Sequence, residues 1–208
     1  MAMSMSAWDG AHAQSRFTID PATEVSLKNG LTRIDLDFDG KPDHIVVTYN
    51  DVQSAHNNFT YLFMTSDWRT IPFEDAGKRP LPKSTDFPGI HRGMFSTSQG
   101  ADYTVATIRL LVDRHAKKTY AVAAFRDFGS TWVDSRPVTL ELFDLIVTPP
   151  DEQTPMFPAE YFQLSGWFVT SKCYPDANFA LHDELALKLP EGAETDGKTR
   201  GLSQPCSK

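Results

Sequence analysis

The sequence predicts a mainly β protein, an antiparallel sandwich or open barrel, with one short C-terminal helix. Three observations lead there. Apolar segments rich in Val, Ile, Thr and aromatic residues recur along the chain, several of them alternating with polar residues. Clusters of Pro, Gly, Asn and Asp separate these segments as turn signals. Helical spacing of apolar residues occurs only near the end, after Asp176.

Taken in order, residues 1–15 read as an added or processed leader. Ala11-His12-Ala13 has the small-x-small form of a signal-peptidase site, but no apolar run precedes it. A single β-rich domain is expected over residues 16–189. Leu31 to Leu36 forms the first clear strand and leads into an acidic loop. Ile45, Val47 and Tyr49 then alternate with Val46 and Thr48. Asn50 to Asn58 is a polar loop, and Phe59 to Met64 a further strand. Four prolines and four glycines between Ile71 and Gly100 rule out long regular elements, so an irregular surface excursion is expected there.

Tyr103 to Asp113 is the clearest strand, with Thr104, Ala106, Ile108, Leu110 and Val112 on one face and Arg109 on the other. A polar turn over Arg114 to Lys118 returns the chain through Tyr120 to Phe125 as a hairpin. Val138 to Val147 and Glu160 to Thr170 are two more strands. Asp176 is a good N-cap for a helix carrying Ala177, Ala180, Leu181 and Leu185 on one stripe to about Lys188. Residues 190–208 form a polar tail.

Composition narrows the function. At 208 residues the chain can bury a substantial core. A net charge of −7 argues against nucleic acid, whose phosphates demand a basic face. No run of eighteen apolar residues offers a transmembrane helix. The two cysteines, Cys173 and Cys206, lack zinc-site spacing. They are either one disulfide tying the tail to the body, which needs an oxidising compartment, or two separate thiols.

The acidic loop carries the strongest chemical signal. Asp35, Asp37, Asp39 and Asp43 stand at positions one, three, five and nine, with Gly40 at six and Lys41 at seven, where a backbone carbonyl can ligate. Alternate carboxylates converging on one point are the hard-oxygen set that Ca²⁺ prefers. Position twelve is Val46, so the bidentate Glu of an EF-hand is missing. The loop is similar to those of dockerin and FG-GAP-type repeats, where an Asp at nine closes the site. A structural Ca²⁺ is expected, with Kd on the order of 10⁻⁴–10⁻³ M. The competing reading is an Asp-Gly turn with solvated acids.

Familiar catalytic patterns are absent. No Ser has a Lys three places on, there is no Gly-x-Ser-x-Gly, no His-Glu-x-x-His, no His-x-His pair and no Walker or Rossmann loop. Two polar clusters remain. His56, Asn57 and Asn58 offer donors and acceptors in a loop, or simply cap it. Arg126, Trp132 and Asp134 bracket a turn. There Arg126 suits a carboxylate ligand and Trp132 a stacked one, or Arg126 pairs with Asp134 beneath Trp132 as a packing lid.

Together these segments resemble the CarG-like family of carbapenem intrinsic-resistance proteins. The similar parts are Asp35 to Val47, Ser54-Ala55-His56-Asn57-Asn58, Ile108 to Leu111, Ala123 to Asp134, and Ser171-Lys172-Cys173-Tyr174-Pro175-Asp176 with Asp183-Glu184-Leu185. They are short matches scattered over residues 30–187. The resemblance implies a periplasmic immunity protein that is not an enzyme and acts without β-lactam hydrolysis, by binding drug or shielding a target. It places a carbapenem carboxylate on Arg126 and the lactam carbonyl near His56, Asn57 and Asn58. Two other classes stand beside it. One is a calcium-stabilised hydrolase needing His56, Asp127 and Asp134 in one pocket. The other is a structural calcium module, which the single loop disfavours. Exposed sheet edges also make a homodimer plausible.

Overall fold

The computed structural model describes residues 16–50, 58–74, 93–100, 103–127, 129–131, 134–153, 159–190 and 203–206. Residues 1–15, most of the 71–100 excursion and most of the tail lie outside them, as do His56, Asn57 and Trp132.

Two β-sheets face each other, as the strand pattern predicts. The smaller runs β2 (Gly30–Ile34), β3 (Asp43–Asn50), β4 (Asn58–Met64) and β6 (Met94–Ser96), all antiparallel. The larger is a meander of β8 (Tyr103–Asp113), β9 (Lys118–Arg126), β10 (Arg136–Val147) and β11 (Glu160–Tyr174). β1 (Glu24–Val25) and β7 (Ser98–Gly100) add to β8. On the free side of β11, β5 (Phe73–Glu74) pairs in parallel with its start and β12 (Gln204–Pro205) antiparallel with its end.

The meander is buried on both faces, which corrects the expectation of a single apolar face on residues 103–113. Toward the smaller sheet, Ile108, Leu110, Phe143 and Phe162, together with Phe73 of β5, pack on Ile45, Phe63 and Phe95. Phe73 and Phe162 stack at 4.7 Å, and Phe63 meets both edge-on. On the opposite face, Leu111, Val122, Ala124, Leu140 and Phe168 pack under α1 (Ala177–Leu185) through Ala177, Ala180 and Leu181. The small residues Ala121, Ala123 and Ala124 of β9 are fully buried on these two faces.

A bulge makes this possible in β11. Leu142 pairs with Gly166 and Phe143 with Leu164, leaving Ser165 without an opposite number, and its hydroxyl donates to the Leu142 carbonyl at 3.2 Å. One extra residue exchanges the faces of everything beyond it. Hence Phe162 and Leu164 face the smaller sheet, while Phe168 and Tyr174 face the helix side.

The helix starts where the sequence puts it. The Asp176 carboxylate accepts from Asn178 N at 2.7 Å and also from Thr104 N on β8 at 2.7 Å, so one cap fixes both the helix start and its seat. It ends earlier than the stripe suggested, because Ala186 adopts a left-handed conformation (φ 57°) and closes the last turn. Cys173 and Cys206 are bonded, with Cα atoms 5.1 Å apart. No helix among the described residues is long and apolar enough to cross a membrane.

Candidate functional site

The acidic loop joins β2 to β3, and its own carboxylates shape it. Asp35 accepts from Gly40 N at 3.0 Å, Asp37 from Asp39 N at 3.1 Å and Asp39 from Lys41 N at 2.7 Å. Gly40 sits at φ +89°, which suits a residue without a Cβ at the turn. Asp35, Asp37 and Asp39 each bring one carboxylate oxygen within 4.8 Å of the others. Burial pushes Asp37 up from the usual carboxylate range, and the charges of Asp39 and Asp35 push the same way.

Asp43 is not one of these three. It is buried, and its carboxylate turns back to accept from Leu36 N at 2.8 Å, pinning the loop's entry to its exit. Burial raises its pKa to about 6, with the charges of Asp37 and Asp39 adding to the effect. Lys41 lies at the rim, its ammonium 3.6 Å from Asp39.

A fourth acid arrives from the other sheet. Glu160 begins β11, and its pKa is raised to about 7, first by burial and then by the charges of Asp37, Asp43 and Asp39. Its Oε2 and the Oδ1 of Asp35 are buried without a hydrogen-bond partner among the described residues. Buried carboxylate oxygens left without donors are a cost that a cation removes. The three loop aspartates are an all-oxygen set that could hold Ca²⁺ or another hard divalent ion, and Glu160 lies close enough to feel their charge. Nothing local in the sequence marks Glu160; it stands 117 places beyond Asp43 and only the fold brings them together.

Beside the loop, His44 is buried with Nδ1 3.1 Å from the Thr65 carbonyl, and the exposed Trp68 stacks on its ring at 3.9 Å. Trp68 had no signal in the sequence. It places an indole on His44, the chain neighbour of Asp43, where it can report on the loop by fluorescence.

The second predicted cluster is a closed turn. Arg126 is fully buried and its Nη1 donates to the Asp134 carbonyl. Burial lowers the Arg126 pKa, opposed by the charges of Asp176, Asp134 and Asp127. The Asp134 carboxylate accepts from Ser130 Oγ (2.6 Å), Thr131 Oγ1 (2.7 Å), Ser130 N (2.8 Å) and Thr131 N (3.1 Å). The Ser130 and Thr131 hydroxyls above all hold it well below the usual carboxylate range. Arg126 and Asp134 thus meet through the Asp134 carbonyl, while the Asp134 carboxylate is held by the hydroxyls and N–H groups of its own turn. Asn58 opens β4 opposite Asn50 and lies apart in the smaller sheet.

The segment Ser171 to Asp176 also resolves into contacts. Tyr174 Oη lies 2.8 Å from carboxylate oxygens of both Asp183 and Glu184, its single proton shared between them, and Lys172 Nζ lies 2.8 Å from Asp183. With the Asp176 cap, these residues fasten α1 to the end of β11, where the Cys173 disulfide also ties down the tail at Cys206.

No family model and no curated protein matches this chain. Among solved structures, the crystal structure of CarG superposes with a TM-score of 0.55 over 81% of this chain and 96% of that one, at 22% identity. The chain therefore has a CarG-like fold.

Proposed function

We propose that this chain is an extracytoplasmic, non-hydrolytic carbapenem-resistance protein of CarG type, acting by binding the drug or shielding its target. The fold shared with CarG along most of both chains carries the reading. The scattered sequence resemblance over residues 30–187 supplies the link to carbapenems, and the Cys173–Cys206 disulfide suits an oxidising compartment. The hydrolase alternative draws on Asp134, whose four hydrogen bonds within its own turn leave it poorly placed for proton transfer.

The acidic loop is a structural Ca²⁺ site in this reading. Asp35, Asp37 and Asp39 supply the loop ligands, and Glu160 adds one from the larger sheet. Such an ion couples β11 to the β2–β3 loop, so its role is to hold the two sheets in register at that end.

The test is to mix purified protein with imipenem and follow both its melting temperature and the β-lactam absorbance. A rise in melting temperature with the absorbance constant is expected. Steady loss of absorbance would make the protein a hydrolase. No rise, no loss and no protection of sensitive cells on expression would end the carbapenem reading.

A further inference from the structure

Between the β1–β8 edge of the larger sheet and strands β3 and β4 of the smaller one lies an open cleft of about 660 Å³. That volume is in the range of small-molecule sites. Val25, Leu27, Val47, Phe59 and Leu110 give it apolar walls. Its charged lining residues are Glu24, Lys28, Arg109 and Lys188, three cations to one anion in a chain of net charge −7. A locally positive cleft in an acidic protein favours an anion.

Arg109 is the least exposed of the three cations, its side chain 16% exposed. Nε faces Glu24 Oε1 at 3.4 Å. Nη1 donates to Thr107 Oγ1 at 3.1 Å and the Ile108 carbonyl at 3.3 Å, and Nη2 donates to Asn178 Oδ1. A guanidinium carries five N–H donors, so one on Nη2 has no partner among the described residues. The other Glu24 oxygen already accepts from Lys188 N at 2.9 Å. Asp176, the nearby acid, is occupied by the N–H groups of Thr104 and Asn178. Tyr61 lines the same cleft within reach of the Arg109 charge, and its hydroxyl makes no hydrogen bond among the described residues. Burial raises its pKa, so it stays protonated and available as a donor.

We propose that this cleft binds a small amphipathic carboxylate, with the apolar body against Val25, Leu27 and Phe59 and the carboxylate on Arg109 and the Tyr61 hydroxyl. Two unused donors in a cleft with apolar walls match one anionic head and one apolar tail. The assignment stands on the cleft alone and does not require the carbapenem reading.

Calorimetric titration with octanoate, against 1-octanol as the uncharged control, tests it. Saturable binding of octanoate at one site is expected, with octanol weaker by about tenfold or more because charge-assisted hydrogen bonds are lost. Tyr61→Phe should weaken octanoate by about tenfold while melting as the parent does. Leu27→Trp, checked to be folded by its melting curve, should obstruct the slot and abolish binding. No saturable octanoate binding, octanol binding as tightly, or unchanged binding in both variants overturns the proposal. Imipenem, also a carboxylate, is titrated separately. Octanoate binding without imipenem binding sustains the cleft assignment and overturns drug binding instead.

Discussion

Unfolding free energy should fall by about 3–4 kcal/mol when Cys173 and Cys206 are both replaced by Ala. The bond joins residues 33 apart, and closing a loop of that length removes this much entropy from the unfolded chain. In the folded protein the loss is local. α1 remains seated by Ala177, Ala180 and Leu181, and by the Tyr174 bonds to Asp183 and Glu184. β12, held by its pairing at Lys172 and Cys173, loses its covalent tie. A domain has only about 5–15 kcal/mol in total, so the variant should melt roughly 10 °C lower at this size. Urea unfolding of the parent with and without dithiothreitol, beside the double variant, measures it. A change below about 1 kcal/mol in both comparisons would show that the loop-closure account does not apply here.

Calcium gives the second large effect. At about 10 mM Ca²⁺, a site with Kd of 10⁻⁴–10⁻³ M stabilises by about 1.4–2.7 kcal/mol. Glu160→Gln separates this site from a generic salt effect, because it should act in opposite directions. Without metal the variant should be the more stable, since a buried carboxylate beside three other acids is gone. With metal its gain should shrink. Trp68 fluorescence should follow the same titration. Equal calcium responses in parent and variant would remove Glu160 from the site, and no response in the parent would return the loop to an acidic turn.

The sign of the pH dependence follows from the same acids. Glu160 is raised from 4.5 to about 7 and Asp43 from 3.8 to about 6. Between about pH 4 and pH 7 the folded chain therefore holds more protons than the unfolded one. Stability of the metal-free protein should fall as pH rises through that window. Calcium competes with those protons, so its stabilisation should be small near pH 5 and complete by about pH 8. Melting curves with EDTA and with Ca²⁺ across this range would show the two lines converging toward acid. A calcium effect that grew on acidification would contradict the assignment.

Much of this architecture was legible in local sequence. The hairpin of β8 and β9 follows from alternation on either side of a polar turn, and Asp176 announced the helix because capping is chemistry within three residues. The convergence of Asp35, Asp37 and Asp39 followed from their spacing. What was hidden depends on contacts between distant segments. The second buried face of the meander exists because α1 returns to cover it. The parallel pairing of Phe73 with Phe162 lies at the edge of a stretch broken by Pro and Gly. Glu160 opens a strand that is itself unremarkable. Alternation puts Arg109 on the face away from the apolar residues of its strand, and Glu24, Thr107 and Asn178, from other segments and its own, close around it there.

The way strands join the larger sheet also sets an order in time. β8, β9, β10 and β11 are successive neighbours along the chain, so each pairing closes only a short loop. β1 meets β8 through Glu24 and Leu111, and β5 meets β11 through Phe73 and Phe162, closures of nearly ninety residues. Loop entropy delays such contacts. The meander should therefore gain amide protection first in refolding, with β1 and β5 following, as pulsed hydrogen exchange can record. Until β5 and the smaller sheet dock, the inter-sheet faces of Ile108, Phe143 and Phe162 stand open to solvent. Aggregation during expression would start from that intermediate, and variants that hasten the docking of β5 should improve the yield of soluble protein without altering the final fold.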